Sequence, residues 1–192
     1  TAAIAGLAAT SGLPPALCLL AAMVSGVFLS ICNAGIALIA RIHPIIVTLA
    51  GLSIYRGLMR VATGGSEIMS LPPAYRALAD GRLLGIPKIC YYVIFVTLGA
   101  HFFLRYSLRG RQVLALGNSE SAARLIGLSK SRLTLLVFGI SGALAGLTAV
   151  LVSGYYGKVQ ANTGMGMELQ AIAAAVIGGT NILGGRGSAI GT

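Results

Sequence analysis

The sequence predicts an all-α fold, a polytopic integral membrane helix bundle with broken or re-entrant helices, and three observations carry that prediction. Of 192 residues, 56% are hydrophobic and 9% charged, whereas soluble domains carry about a quarter charged residues. The apolar residues gather into runs that reach the roughly 20 residues needed to cross a bilayer. Two of those runs are interrupted, one by Arg56 and Arg60, which either snorkel or mark a broken helix, and the last by clustered glycines, where a helix should break. A net charge of +10 and a pI near 10.2 would suit a nucleic-acid binder. Here, however, the basic residues sit mostly in loops between apolar spans, with no aromatic-basic module among them. Nucleic acid is therefore excluded as a partner, and membrane lipid is the expected surroundings.

Residues 1–9 are apolar but too short a stretch to span. No charged n-region or cleavage site is present, so no signal peptide is expected, and the chain stops at Gly191-Thr192 inside a glycine-rich pattern. Both ends read as cut, and the sequence is expected to be a piece of a longer protein. The first full span runs from about Pro15 to Ala40 and carries Ser25-Gly26, Ser30 and Asn33-Ala34-Gly35. Small residues let helices approach closely where lipid supplies no hydrophobic drive, so this face should pack on another helix, with Asn33 as interhelical glue. Arg41, His43 and Pro44 end the span, and Pro44 suits the first turn of the next. His43 reads as interfacial packing beside Arg41 rather than a proton relay. In the run from Ile45 to Ala62, Arg56 and Arg60 lie one turn apart. They either snorkel to the interface or belong to a broken helix lining a cavity. Cys18, Cys32 and Cys90 all sit in apolar surroundings and read as small hydrophobes, not as a disulfide or metal site.

Residues 63–88 hold several turn formers, with one interfacial turn expected between Tyr75 and Asp80. The span from Ile89 to Leu104 has aromatic residues near both ends, the usual interfacial belt, and His101 belongs with them. A further span runs from Leu133 to Val152, where Gly142-Ala-Leu-Ala-Gly146 is a GxxxG pattern that predicts tight helix contact. After it, a polar stretch from Lys158 to Gln170 leads into residues 171–192. A helix entered at Glu168 should break at Gly178-Gly179 and resume or bend at Gly184-Gly185-Arg186-Gly187. Glu168 either favours that helix N-terminus through the dipole or lies beside a solute pathway.

The stretch 105–132 is the polar centre of the sequence and holds six of the fourteen basic residues. Lys and Arg resist translocation, so this loop is expected in the cytoplasm. By parity, residues 41–44 are then inside and residues 10–14 and 63–88 outside, while 153–170 lie outside or fold back. The inside segments hold seven basic residues and the outside ones four. The loop also predicts a short helix of its own. Asn118 or Ser119 is the N-cap, Glu120 sits in the first turn, and Gly127 is a left-handed stop. Ala122, Leu125 and Ile126 share one face, and Glu120 and Arg124 form an i, i+4 pair. Two turns are not stable alone, so this helix needs a partner surface. Catalytic and nucleotide motifs are missing. Gly179–Arg186 lacks the Lys-Ser/Thr of a phosphate loop, and no nucleophile, paired-Cys or metal-ligand cluster occurs. The chain is expected to be no enzyme and to carry no cofactor or metal of its own.

Two motifs together resemble the permease subunits of ATP-binding cassette importers for ribose and related monosaccharides, the autoinducer-2 type included. One runs from Gly110 to Gly127, GRQVLALGNSESAARLIG. The other runs from Thr163 to Thr180, TGMGMELQAIAAAVIGGT, followed by Gly184-Gly185-Arg186-Gly187. The pattern extends weakly back through residues 45–63. The resemblance implies a single transmembrane permease domain over residues 1–192, truncated at both ends, in the bacterial inner membrane, with residues 105–132 as a cytoplasmic coupling loop. It implies that Asn118, Ser119, Glu120, Ala122, Ala123, Arg124, Leu125, Ile126 and Gly127 dock into a groove on a separate ATPase subunit, which binds the ATP and Mg. It also implies a second permease subunit and a periplasmic sugar-binding protein. For a monosaccharide or similar polyol-like solute, the pathway candidates are Thr48, Tyr55, Asn162, Glu168, Thr180 and Asn181. The competing class is an ion-coupled secondary transporter of a small polar solute. It usually needs mid-span acids, and none is placed there.

Overall fold

The computed structural model describes residues 1–65, 71–83, 85–160, 164–181, 184, 185, 187, 189 and 191. In chain order the first elements are α1 (Ala2–Thr10), α2 (Pro15–Ala40), α3 (Pro44–Thr63), α4 (Pro73–Arg76) and the two strands β1 (Arg82–Leu83) and β2 (Ile86–Pro87). They are followed by α5 (Lys88–Tyr106), α6 (Leu108–Asn118), α7 (Glu120–Leu125), α8 (Lys130–Tyr156) and α9 (Met167–Ile177). Helices α2, α3, α5 and α8 have 26, 20, 19 and 27 residues and are apolar enough to cross a membrane. At about 1.5 Å per residue even the shortest reaches roughly 28 Å. The protein is thus an all-α polytopic membrane protein. Two compact units divide the chain, one of residues 1–89 with 135–163, the other of residues 90–134 with 164–192.

In the first unit, the inward face of α2 is made of small residues. Cys18, Ala22, Gly26, Ala34 and Ala37 are buried, while Val24, Phe28, Ile36 and Ile39 are exposed. That inversion of the soluble pattern is expected where lipid solvates Phe and Ile as well as a protein core does, and close approach is what stabilises a helix pair. Gly26 meets Gly142 of α8, and Ala22 meets Gly146, backbone against backbone. Ser30 donates a 2.7 Å hydrogen bond to the Phe138 carbonyl across the same seam. The GxxxG of α8 is thereby filled by the small face of α2. On α3, the Tyr55 hydroxyl donates to Asn33 Oδ1 at 2.9 Å, which makes Asn33 the interhelical glue expected of it. Helix α3 runs unbroken through Tyr55-Arg56-Gly57, so the broken-helix alternative for that run gives way to a continuous span.

Residues 71–88 are more structured than one interfacial turn. Pro72 and Pro73 start α4, Pro73 at N1 where its missing N–H is no loss. The strands pair antiparallel as Arg82↔Pro87 and Leu83↔Ile86. Leu71, Tyr75 and Ala79 turn inward, and Leu71 and Tyr75 join Ala5, Ala9, Cys18, Ala22, Val150 and Val159 in one apolar core. The buried Tyr75 hydroxyl lies 2.8 Å from Ser153 Oγ, and Ser153 in turn donates to the Ala149 carbonyl at 2.7 Å. This segment is a lid on the end of α8, tied down by one aromatic side chain.

The second unit contains a helix, α6, where the basic residues predict a loop. Ser107 caps α6 by accepting from Gly110 N at 2.9 Å. Gly110 packs on the backbone of Phe103 and Leu104, where a Cβ would lie 2.8 Å from Leu104 Cα. Helix α9 has 11 residues and covers about 16 Å, roughly half a bilayer core. It stops as a broken helix should. Thr180 N bonds the Ala175 carbonyl, Gly179 N bonds the Val176 carbonyl, and Gly179 adopts φ +87, a Schellman ending that needs glycine at the left-handed position.

Candidate functional site

The short helix α7 occupies the centre of the basic stretch, and its ends are built from local chemistry. Ser119, extended at φ −157, accepts from Ala122 N at 3.3 Å; it also ends α6, so one residue serves both helices. Of the two residues expected as N-cap, Ser119 fills the position. At the far end, Leu128 N bonds the Ala123 carbonyl and Gly127 N the Arg124 carbonyl, both at 3.0 Å. Gly127 has φ +79. This is again a Schellman stop, set by the one residue type that takes that conformation without a Cβ clash.

The side chains of α7 divide into two sets. Ala123 is 2% exposed, whereas Leu125 and Ile126 are 89% and 72% exposed. Ala122 and Arg124 are exposed as well. An apolar pair left in the open at a polar loop, with a cation beside it, is a surface suited to a protein partner. Glu120 accepts from both Lys130, at 2.6 Å, and Arg124. The Lys130 contact is not predicted by local spacing. The i, i+4 rule finds Arg124, but Lys130 returns to Glu120 only because Gly127 reverses the chain.

Those two cations hold the Glu120 carboxyl below the usual glutamate range, the Lys130 hydrogen bond being the larger cause and Arg124 the second. A depressed folded-state pKa means that the stabilisation is present above the ordinary value and is lost as pH falls through the lower one. In an NMR titration, the Glu120 midpoint will lie below 4.5, the value of an unperturbed glutamate. Lys130→Ala will raise it more than Arg124→Ala does. A midpoint at or above 4.5 would mean the ion pairs do not form.

The solute-pathway candidates fall into separate places. Thr48 and Tyr55 lie two turns apart on α3; the Thr48 hydroxyl bonds the Ile45 carbonyl and the Tyr55 hydroxyl is engaged with Asn33. Glu168 sits in the first turn of α9, and Thr180 and Asn181 follow its other end, which lies about 14 Å away along the helix axis at about 1.5 Å per residue. Asn181 gives its carbonyl to Gly184 N at 2.9 Å. Asn162 lies outside the described residues. Within the second unit, then, Thr180 and Asn181 are neighbours and Glu168 stands apart from them. A contact no motif announced joins the two glycine-rich sequences: Gly184 and Gly185 rest on Gly117 and Asn118, immediately before α7.

Membrane-length helices joined by a capped helix on a basic loop make this a multi-pass membrane protein. It belongs to the family described as branched-chain amino acid transport system permease component, which it matches over residues 1–192. Among curated proteins it is 34% identical to the autoinducer 2 import system permease protein LsrC of Enterobacter sp. strain 638, over 97% of this chain and 54% of that protein. The Klebsiella pneumoniae protein of the same name is 35% identical over 79% of this chain and 44% of its own length. That of Yersinia enterocolitica is 32% identical over 97% and 52%. The chain spans about half the length of the curated relatives it matches. These relatives are transport permeases, not enzymes. No solved structure matches the chain.

Proposed function

We propose that this chain is part of the membrane-spanning permease subunit of an ATP-binding cassette importer, that it moves a monosaccharide or similar small polyol-like solute, and that α7 is its coupling helix. A separate ATPase subunit binds ATP and Mg and supplies the energy; a second permease subunit completes the pathway, and a periplasmic binding protein delivers solute. The observation that carries the reading is α7 itself, capped at both ends, with Ala123 buried on one side. It presents Leu125 and Ile126 outward, with Arg124 as the polar contact beside them. The autoinducer-2 importers that the relatives' names describe support a sugar-like solute, and the hydroxyl and amide groups of Thr48, Tyr55, Asn162, Thr180 and Asn181 suit one. Glu168 contributes one further acceptor.

Co-purification tests it. The complete permease, isolated from its native membrane, will bring an ATPase subunit with it. Arg124→Glu with Leu125→Asp will release that subunit, because a carboxylate at the centre of a docked apolar contact costs about 2–4 kcal/mol, or roughly 30- to 1,000-fold in affinity. Both side chains are exposed, and exchanging the exposed Arg124–Glu120 pair for like charges costs little in solvent, so the variant will melt only slightly below the parent. Retention of the ATPase by the variant would overturn the assignment. Growth on single carbon sources after deletion of the complete gene identifies the solute.

A further inference from the structure

We propose that the glycine turn at Gly184–Gly185 is a strut that positions the coupling helix and passes its movement to α9; this rests on the coupling role proposed for α7. Three observations converge. First, the turn touches α6 at its last residues: a Cβ on Gly117 would lie 3.2 Å from Gly185 Cα, and one on Gly184 3.0 Å from the Gly117 carbonyl oxygen. Gly185 is equally close to Asn118, where a Cβ would lie 2.9 Å from Asn118 Cα. The next residue, Ser119, caps α7. Second, the segment carrying the turn is closed at its neck. Gly191 packs on the Gly178 carbonyl at the end of α9, and Gly187 on the Thr180 side chain. Gly187 and Gly191 are therefore held at the end of α9, while Gly184 and Gly185 are seated on the end of α6, one residue before the cap of α7. Third, the close packing is confined to the contact with α6: beside it a cavity of about 240 Å³ opens between Gly187, Ala189 and the residues His101, Arg105 and Leu114. The tip is the firm contact, and backbone touching backbone transmits displacement because no side chain can rotate to absorb it.

Gly117→Ala isolates this contact. Within a helix alanine is favoured over glycine by about 1 kcal/mol, so loss of function cannot come from the helix itself. Gly184→Asn wedges the same contact from the other side; at φ +97 it also strains the turn, asparagine being among the side chains least penalised at positive φ. With the native cysteines replaced, Ile177→Cys at the exposed end of α9 takes an environment-sensitive fluorophore in the complete, ATPase-bound permease. ATP-Mg is then added, and hydrolysis and fluorescence are read together. In the parent and in Gly99→Ala, whose Cβ meets nothing within 4 Å, ATP-Mg will change the signal. In Gly117→Ala and Gly184→Asn the ATPase will stay bound and hydrolyse ATP, while the signal change shrinks roughly fivefold or more, the range of ordinary site-to-site coupling. A full-sized change in either wedge variant overturns the strut. So does a parent complex that hydrolyses ATP with no signal at position 177. Absence of any ATPase from the parent complex, by contrast, removes the coupling role on which the strut depends.

Discussion

Gly142→Leu will leave little folded protein to purify from the membrane. A Cβ at this position would lie 2.6 Å from Ser30 Cβ and 2.8 Å from the Gly26 carbonyl carbon, so a leucine must push α2 and α8 apart along their length. Overpacking by a few methylenes costs about 1–3 kcal/mol when side chains can rearrange. Here the obstruction is backbone, and the separation also stretches the bond from Ser30 to the Phe138 carbonyl. The total stability of a domain is about 5–15 kcal/mol, so a loss of about 3 kcal/mol or more shows as a large fall in the detergent melting temperature. The comparison is Gly139→Leu on the same helix, where an added Cβ meets nothing within 4 Å. Equal melting temperatures for the two variants would show that α2 and α8 are not in contact.

Tyr75→Ala comes next in size. Tyr75 is 1% exposed, and removing a buried aromatic side chain costs about 3–5 kcal/mol once the cavity is included. Its hydroxyl gives the site a second, graded test. Tyr75→Phe will cost only about 1 kcal/mol, because Ser153 keeps its bond to the Ala149 carbonyl. Ser153→Ala will cost more, about 1–3 kcal/mol, since the phenolic O–H loses its acceptor and stays buried. The expected order of melting temperatures is parent, Tyr75→Phe, Ser153→Ala, Tyr75→Ala. If Tyr75→Phe were the lower of the two milder variants, the direction of the hydrogen bond would be reversed.

Much of the membrane architecture could be read from the chain because its signals are local. Pro15 and Ala40 bound α2 in the sequence and in the structure alike, since proline at the first turn and a charged residue at the end act on their immediate neighbours. Gly142 and Gly146 announced a close helix contact, though the pattern could not say that α2 supplies the partner. The ends of α7 were legible too, because Ser119 and Gly127 act within one turn of themselves. What escaped was non-local. Helix α6 was hidden by Arg109, Gly110 and Arg111, which read as loop until the backbone of Phe103 and Leu104 is seen to require a glycine there. The lid carrying Tyr75 looked like a solvated connection, because nothing in its turn-rich sequence reveals the core of α1, α2 and α8 residues on which it lies. Likewise Lys130 and the glycine turn at Gly184 each meet partners that only the folded chain brings near.

The seam between α2 and α8 is formed by residues that have almost no rotamers to surrender. Ordering a long side chain at an interface costs up to about 2 kcal/mol of entropy, whereas glycine and alanine cost nothing. Such a joint is fixed by main-chain distance alone, and it has no soft intermediate in which side chains interlock halfway. The distance between these two helices is therefore set by their main chains, and any larger side chain placed in the seam is read directly as a separation of the pair.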